Sequence, residues 1–237
     1  MPMSRILLLL FLSVSLLAQS QQIEPESLFS QMIGKNIKKY TLESQKAYAT
    51  NNFERAEFLF DSLINHVVNE SFIDNFKFKK RSGRTVELYD YEKPIFLMTY
   101  ASWCTPGVGE IPALNEIAEK YHKDIDFIVL FWDSRDKVKK VAREYSRHID
   151  VVYVDERDNK NNYVVQSMKH SLGFPTSFFI DAQKKIVDVR RGVLHPYEEA
   201  YEISFELNYN SFLNGISLLK HLPEASDGLV TKDKPLP

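Results

Sequence analysis

One cysteine stands in the 237 residues, Cys104, inside "TYASWCTPGVGEIP" at positions 99–112, and no other side chain is as well suited to covalent chemistry. A thiolate is the nucleophile that opens disulfides through a mixed-disulfide intermediate. The residues before Cys104 read as a buried strand, and those after it predict a helix from about Thr105 to Tyr121. A thiol at a helix start meets unpaired backbone N–H groups and the positive end of the helix dipole, which favour the thiolate. Pro106 suits that position because it has no N–H to lose in a first turn. The competing reading of a lone cysteine is an inert, buried small hydrophobe. Glu110, six residues on, lies on a helix that should turn it toward the loop, and by itself reads as an exposed carboxylate stabilising the helix start.

Other candidates are weaker. The six histidines show no ligand spacing, so no metal is expected. "DERDNKNN" at 155–162 lacks the carboxylate register and glycine of a calcium loop. "KKRSGR" at 79–84 reads as a charged hairpin tip that keeps an edge strand soluble. No motif calls for a cofactor.

The elements that must position Cys104 follow from periodicity. In residues 21–70 the pattern is helical, with Leu28, Met32, Ile33, Ile37 and Tyr40 on one apolar face and Phe53, Ala56, Phe60, Leu63 and Val67 on another. Asn51 is the expected N-cap of the second helix. "FKFKKRSGRTVELY" at 76–89 alternates around Ser82-Gly83 as a hairpin does, and "KPIFLMTY" at 93–100 is the continuous run of a strand buried on both faces. Then come strand "DFIVLFW", helix "DKVKKVAREYSRH", strand "DVVYVD", helix "NNYVVQSMKHSL", and strands "TSFFID" and "KIVDVRR". Such alternation predicts an α/β fold with parallel crossovers, and the short "AQKK" between the last two strands makes them an antiparallel hairpin. A last helix is expected over about 196–222, with a loose tail at 223–237.

A composition of 44% hydrophobic and 26% charged residues supports a buried core, and a net charge of −2 gives no field that would draw in nucleic acid. Residues 1–20 carry Arg5, the apolar run Ile6–Leu17 and Ala18-Gln19-Ser20, the pattern of a secretory signal peptide. That run is too short to span a membrane comfortably, so the expected product is soluble, periplasmic or extracellular, with no stable membrane insertion after cleavage. With one cysteine, no structural disulfide is expected.

Trp103-Cys104-Thr105-Pro106-Gly107-Val108-Gly109-Glu110-Ile111-Pro112 resembles the Trp-Cys-x-Pro-Cys-x-x-Glu-x-Pro centre of the TlpA/ResA type of extracytoplasmic thiol-disulfide oxidoreductase, with Gly107 where the resolving cysteine stands. "GFPTSFFID" resembles the cis-proline loop of that family at Pro175, and Pro112 matches the proline that kinks its active-site helix. The resemblance covers about 71–222 and implies a thioredoxin fold, a mixed sheet with helices on both faces, preceded here by a helical hairpin. It implies that Cys104 and Glu110 are catalytic, and that Trp103, Pro106, Phe174, Pro175 and Thr176 shape the site for a peptide. The buried Asp that thioredoxins keep six residues before the cysteine is Met98 here. A one-cysteine peroxiredoxin would need Thr or Ser at Ala101 and Pro at Leu97. Two functions are expected: monothiol exchange with protein or small-molecule thiols and disulfides, released by an external thiol, or a redox-inactive module that holds a peptide or protein partner.

Overall fold

The run "KPIFLMTY" forms a central strand because partners flank it on both sides and helices cover both its faces. The computed structural model describes residues 27–155, 165–170, 172–192 and 200–220. Strands β1 (Lys77–Lys80), β2 (Thr85–Glu87), β3 (Ile95–Tyr100), β4 (Asp126–Phe131), β5 (Ile149–Tyr153), β6 (Thr176–Ile180) and β7 (Ile186–Arg191) form one sheet in the order β2-β1-β5-β4-β3-β6-β7. β3, β4 and β5 are parallel, whereas β6 is antiparallel to both β3 and β7. The parallel pairs need crossovers, and the short β6–β7 link allows a hairpin.

The helices are α1 (Phe29–Ala49), α2 (Phe53–Leu63), α3 (Glu110–Tyr121), α4 (Arg135–Val141) and α5 (Tyr201–Lys220). Because strand side chains alternate, Ile95, Leu97, Ile128 and Phe178 enter one core with Phe29, Ile33, Phe60 and Leu63 of α1 and α2. Phe96, Met98, Val129 and Phe179 enter the other with Leu114 and Ile117 of α3 and Phe212 and Ile216 of α5. This is a thioredoxin fold with its N-terminal helical hairpin laid over one sheet face. The Phe29 ring meets that of Phe178 edge-on at 5.6 Å, and the Phe29 N–H donates to Phe72 O at 2.8 Å. The cap of α2 is Asn52, one residue later than expected, its side chain accepting from the Arg55 N–H at 2.9 Å. Asn51 instead takes a left-handed φ of 54° in the turn, and Phe53 is left 62% exposed.

The largest departure from expectation is at α3, which begins at Glu110 rather than near Thr105. Gly107 and Gly109 each cost up to about 1 kcal/mol of helix propensity. The Gly109 N–H is spent elsewhere, donating to Ser204 Oγ of α5 at 3.0 Å. Pro112 therefore falls in the first turn of α3, where its missing N–H breaks no intrahelical bond. Helix α4 is also shorter than its sequence pattern, and Val165–His170 forms a π-helical turn where a longer helix was expected. The signal segment 1–20, the tail 223–237 and the start of the last helix lie outside the described residues.

Gly109 permits this backbone contact. A Cβ there would lie 2.1 Å from Phe205 N and 2.6 Å from Ser204 C, both main-chain atoms that cannot swing aside. Gly109→Ala is expected to cost about 3 kcal/mol or more in a urea melt, at or beyond the upper end for overpacking. A loss below about 1 kcal/mol would show that α5 does not clamp the loop.

Among the described residues, no helix is long and apolar enough to cross a membrane, and no three His, Cys, Asp or Glu are grouped as metal ligands.

Candidate thiol site

Cys104 lies in the loop that leaves β3 at the carboxyl ends of the parallel strands, where open α/β sheets gather their sites. Three hydrogen bonds pin the loop. The Ser102 N–H donates to Asp133 Oδ2 at 2.6 Å, the Cys104 N–H to Ala101 O at 2.9 Å, and the Gly109 N–H to Ser204 Oγ. Cys104 is half-buried against the core formed with α3 and α5. Burial pushes its thiol above the ordinary range, and the negative charges of Glu110 and Asp133 add to this, while a backbone contact at Ala101 opposes it. The expected thiolate-favouring helix start is absent, because α3 begins six residues beyond the sulfur.

Glu110 is not an exposed first-turn carboxylate: it is 4% exposed, beneath the loop. Burial pushes its carboxyl up to about 7, outweighing the Tyr100 hydroxyl and the Gly107 backbone, which favour the charged form. The Tyr100 hydroxyl is buried and makes no hydrogen bond of ordinary geometry, so its approach to Glu110 is a loose polar contact. Tyr145, half-buried, has its phenol pushed upward, first by desolvation and then by the charge of Glu110. A carboxyl pushed upward by burial, two phenols and one thiol thus share the floor of the loop.

The opposing wall is the loop before β6, where the Phe174–Pro175 peptide is cis. Trp103, 73% exposed, meets the Phe174 ring edge-on at 6.1 Å between centroids. This contact brings the cysteine turn and the proline loop together, and Pro106 is half-buried on the turn. Thr176 differs from its expected part in contacting a substrate. It is fully buried under the loop, its hydroxyl donating to Gly173 O at 2.9 Å and its carbonyl accepting from Thr99 Oγ1 at 3.2 Å. Its contribution is to hold the loop's shape.

Sequence reasoning passed over Tyr100, Asp133 and Tyr145. Asp133 is nearly buried and pairs with Lys137 at 3.1 Å as well as capping the Ser102 N–H. Its signal was available: a carboxylate just beyond an apolar parallel strand, at the same sheet end as Cys104. Tyr145 had none, because its place depends on where the chain leaves the short α4.

The chain is similar to known proteins in sequence and in fold. The chain is 31% identical over 121 residues to the thiol-disulfide oxidoreductase ResA of Bacillus thuringiensis subsp. konkukian, an overlap of 50% of this chain and 66% of that protein. It is 24% identical over 136 residues to the thioredoxin-like protein YneN of Bacillus subtilis, covering 56% of this chain and 76% of the relative. In three dimensions it overlays a hypothetical protein, SMc02350, of Sinorhizobium meliloti 1021 with a TM-score of 0.53 at 11% identity, covering 69% of this chain and 90% of that one, a likeness of fold. Residues 68–189, from five residues beyond α2 into β7 and including both walls of the site, match the AhpC/TSA family, and the chain belongs to that thioredoxin-like family.

Proposed function

We propose that this is an exported thioredoxin-like protein that carries out monothiol exchange through Cys104. The observation that carries the reading is the meeting of Trp103 with Phe174, which sets the cysteine turn against the cis-proline loop. Export is supported by the pattern of residues 1–20. In the reaction, the Cys104 sulfur attacks one sulfur of a substrate disulfide, a new S–S bond forms, and the second substrate sulfur leaves with the electron pair. Glu110, close to half-charged at neutral pH, takes the thiol proton and returns it to the leaving sulfur. With Gly107 in place of a resolving cysteine, an external thiol must attack the mixed disulfide to release the partner. Exposed Trp103, Phe174 and the Pro175 backbone receive the peptide as a short added strand.

The raised thiol favours a second reading, a binding module in which Cys104 is spectator. Iodoacetamide labelling of the folded protein across pH separates the two. Exchange predicts complete labelling of Cys104 with a midpoint above the ~8.5 of a free cysteine. If no label enters without denaturant, the exchange reading is lost and the binding module remains.

A further inference from the structure

The structure assigns Arg191 as a positioning residue that ties the α1–α2 hairpin to the Pro175 loop and so governs how a polypeptide, as opposed to a small disulfide, meets Cys104. The assignment rests on the exchange site proposed above. Arg191 ends β7 opposite Thr176, the residue after Pro175. The following N–H, of Gly192, donates to Pro175 O at 2.8 Å. Position 192 has no room for a side chain, since a Cβ would lie 2.3 Å from Pro175 Cγ. The proline loop is thus seated directly on the end of β7.

The Arg191 side chain holds that strand end from the other direction. Its guanidinium lies 3.9 Å from the centroid of the Phe60 ring and 5.9 Å from that of Tyr40. It donates to the Tyr40 hydroxyl and, at 3.4 Å, to that of Tyr48. One side chain therefore links both hairpin helices to the seat of the loop. The arrangement is a poor choice for stability alone. Arg191 Nε is buried without a hydrogen-bond partner among the described residues. An unpaired buried donor carries a desolvation penalty that an apolar side chain of similar length avoids. What an arginine adds is direction, because its planar fork has fixed donors and stacks face-on to rings. A small disulfide needs only the Cys104 sulfur. A polypeptide must also pair with the loop backbone, so it alone depends on where Arg191 and Gly192 hold that loop.

The test compares two reagents with the same leaving group: the small symmetrical disulfide of thionitrobenzoate, and a short apolar peptide whose single cysteine is blocked as its thionitrobenzoate mixed disulfide. In each, Cys104 thiolate attacks a sulfur, the S–S bond breaks, and coloured thionitrobenzoate leaves. Arg191→Met is expected to slow the peptide reaction by about tenfold or more and leave the small-disulfide rate within about twofold, with Tyr40→Phe giving a smaller change in the same direction. Unchanged peptide rates, or an equal fall with both reagents, overturn the assignment. If neither reagent reacts with the folded wild type, the exchange reading fails, and Arg191 is judged by fluorescence anisotropy with a labelled peptide carrying Ser for Cys. Binding weakened about tenfold by Arg191→Met upholds the assignment; equal binding, or none by the wild type, overturns it.

Discussion

Gly107→Cys is expected to convert a protein that stops at the mixed disulfide into one that completes the cycle. Gly107 is not among the glycines with positive φ, so an L-residue fits its backbone. The position is half-buried on the same turn as Cys104. A well-oriented intramolecular thiol has an effective molarity of ~10⁵ M or more, whereas an external thiol arrives at roughly millimolar concentration, a difference of about 10⁸ in release rate. The readout is stoichiometric. With the small disulfide of thionitrobenzoate, the wild type should release one equivalent and retain the other, while Gly107→Cys should release both and form an internal disulfide. With dithiothreitol as the electron source, the variant should also catalyse insulin reduction. A folded variant with both thiols titratable in denaturant that still stops at one equivalent would mean that the loop between β3 and α3 does not bring positions 104 and 107 into bonding geometry.

Glu110→Gln should give the largest pH-dependent change. Burial pushes the folded-state carboxyl up to about 7 against 4.5 in the unfolded chain, so between those values the folded protein binds more protons than the unfolded chain. Its contribution to stability is therefore fully present below pH 4.5 and is lost as pH rises through 7. The loss amounts to at most ~3 kcal/mol, since the charged form must be buried at alkaline pH. In urea melts the Gln variant should match the wild type near pH 4.5 and exceed it by up to ~3 kcal/mol at pH 8. A difference that stays constant with pH would show that Glu110 is not the buried acid described. The same substitution removes a negative charge that raises the Cys104 thiol, so the midpoint of iodoacetamide labelling should move downward.

The strands and the two walls of the site were legible in the sequence for local reasons. "KPIFLMTY" has no polar interruption, and "GFPTSFFID" places a Gly-x-Pro turn directly before a strand. The start of α3 was not legible, because the group that takes the Gly109 N–H is Ser204, 95 residues away. The state of Cys104 followed the same error, since a thiol reads as activated only if the helix begins beside it. Glu110 offered two readings that propensity could not separate; its burial is decided by packing beneath the loop among Tyr100 and Tyr145. The part played by Arg191 was hidden for a similar reason, its partners Tyr40, Tyr48 and Phe60 being known only once the hairpin is laid on the sheet.

That hairpin also has a consequence for the order of folding. Its helices are the first described elements in the chain, yet Phe29 is buried against Phe178 and Tyr40 against Arg191, on the last two strands. Helices of this kind gain little stability until their apolar face finds a partner. Closing so long a loop must precede the contacts that repay it, which slows folding. A chain released from synthesis before β6 and β7 would carry two amphipathic helices whose apolar faces lack the β6 and β7 part of their cover, and that intermediate, more than the finished protein, is the species prone to aggregate.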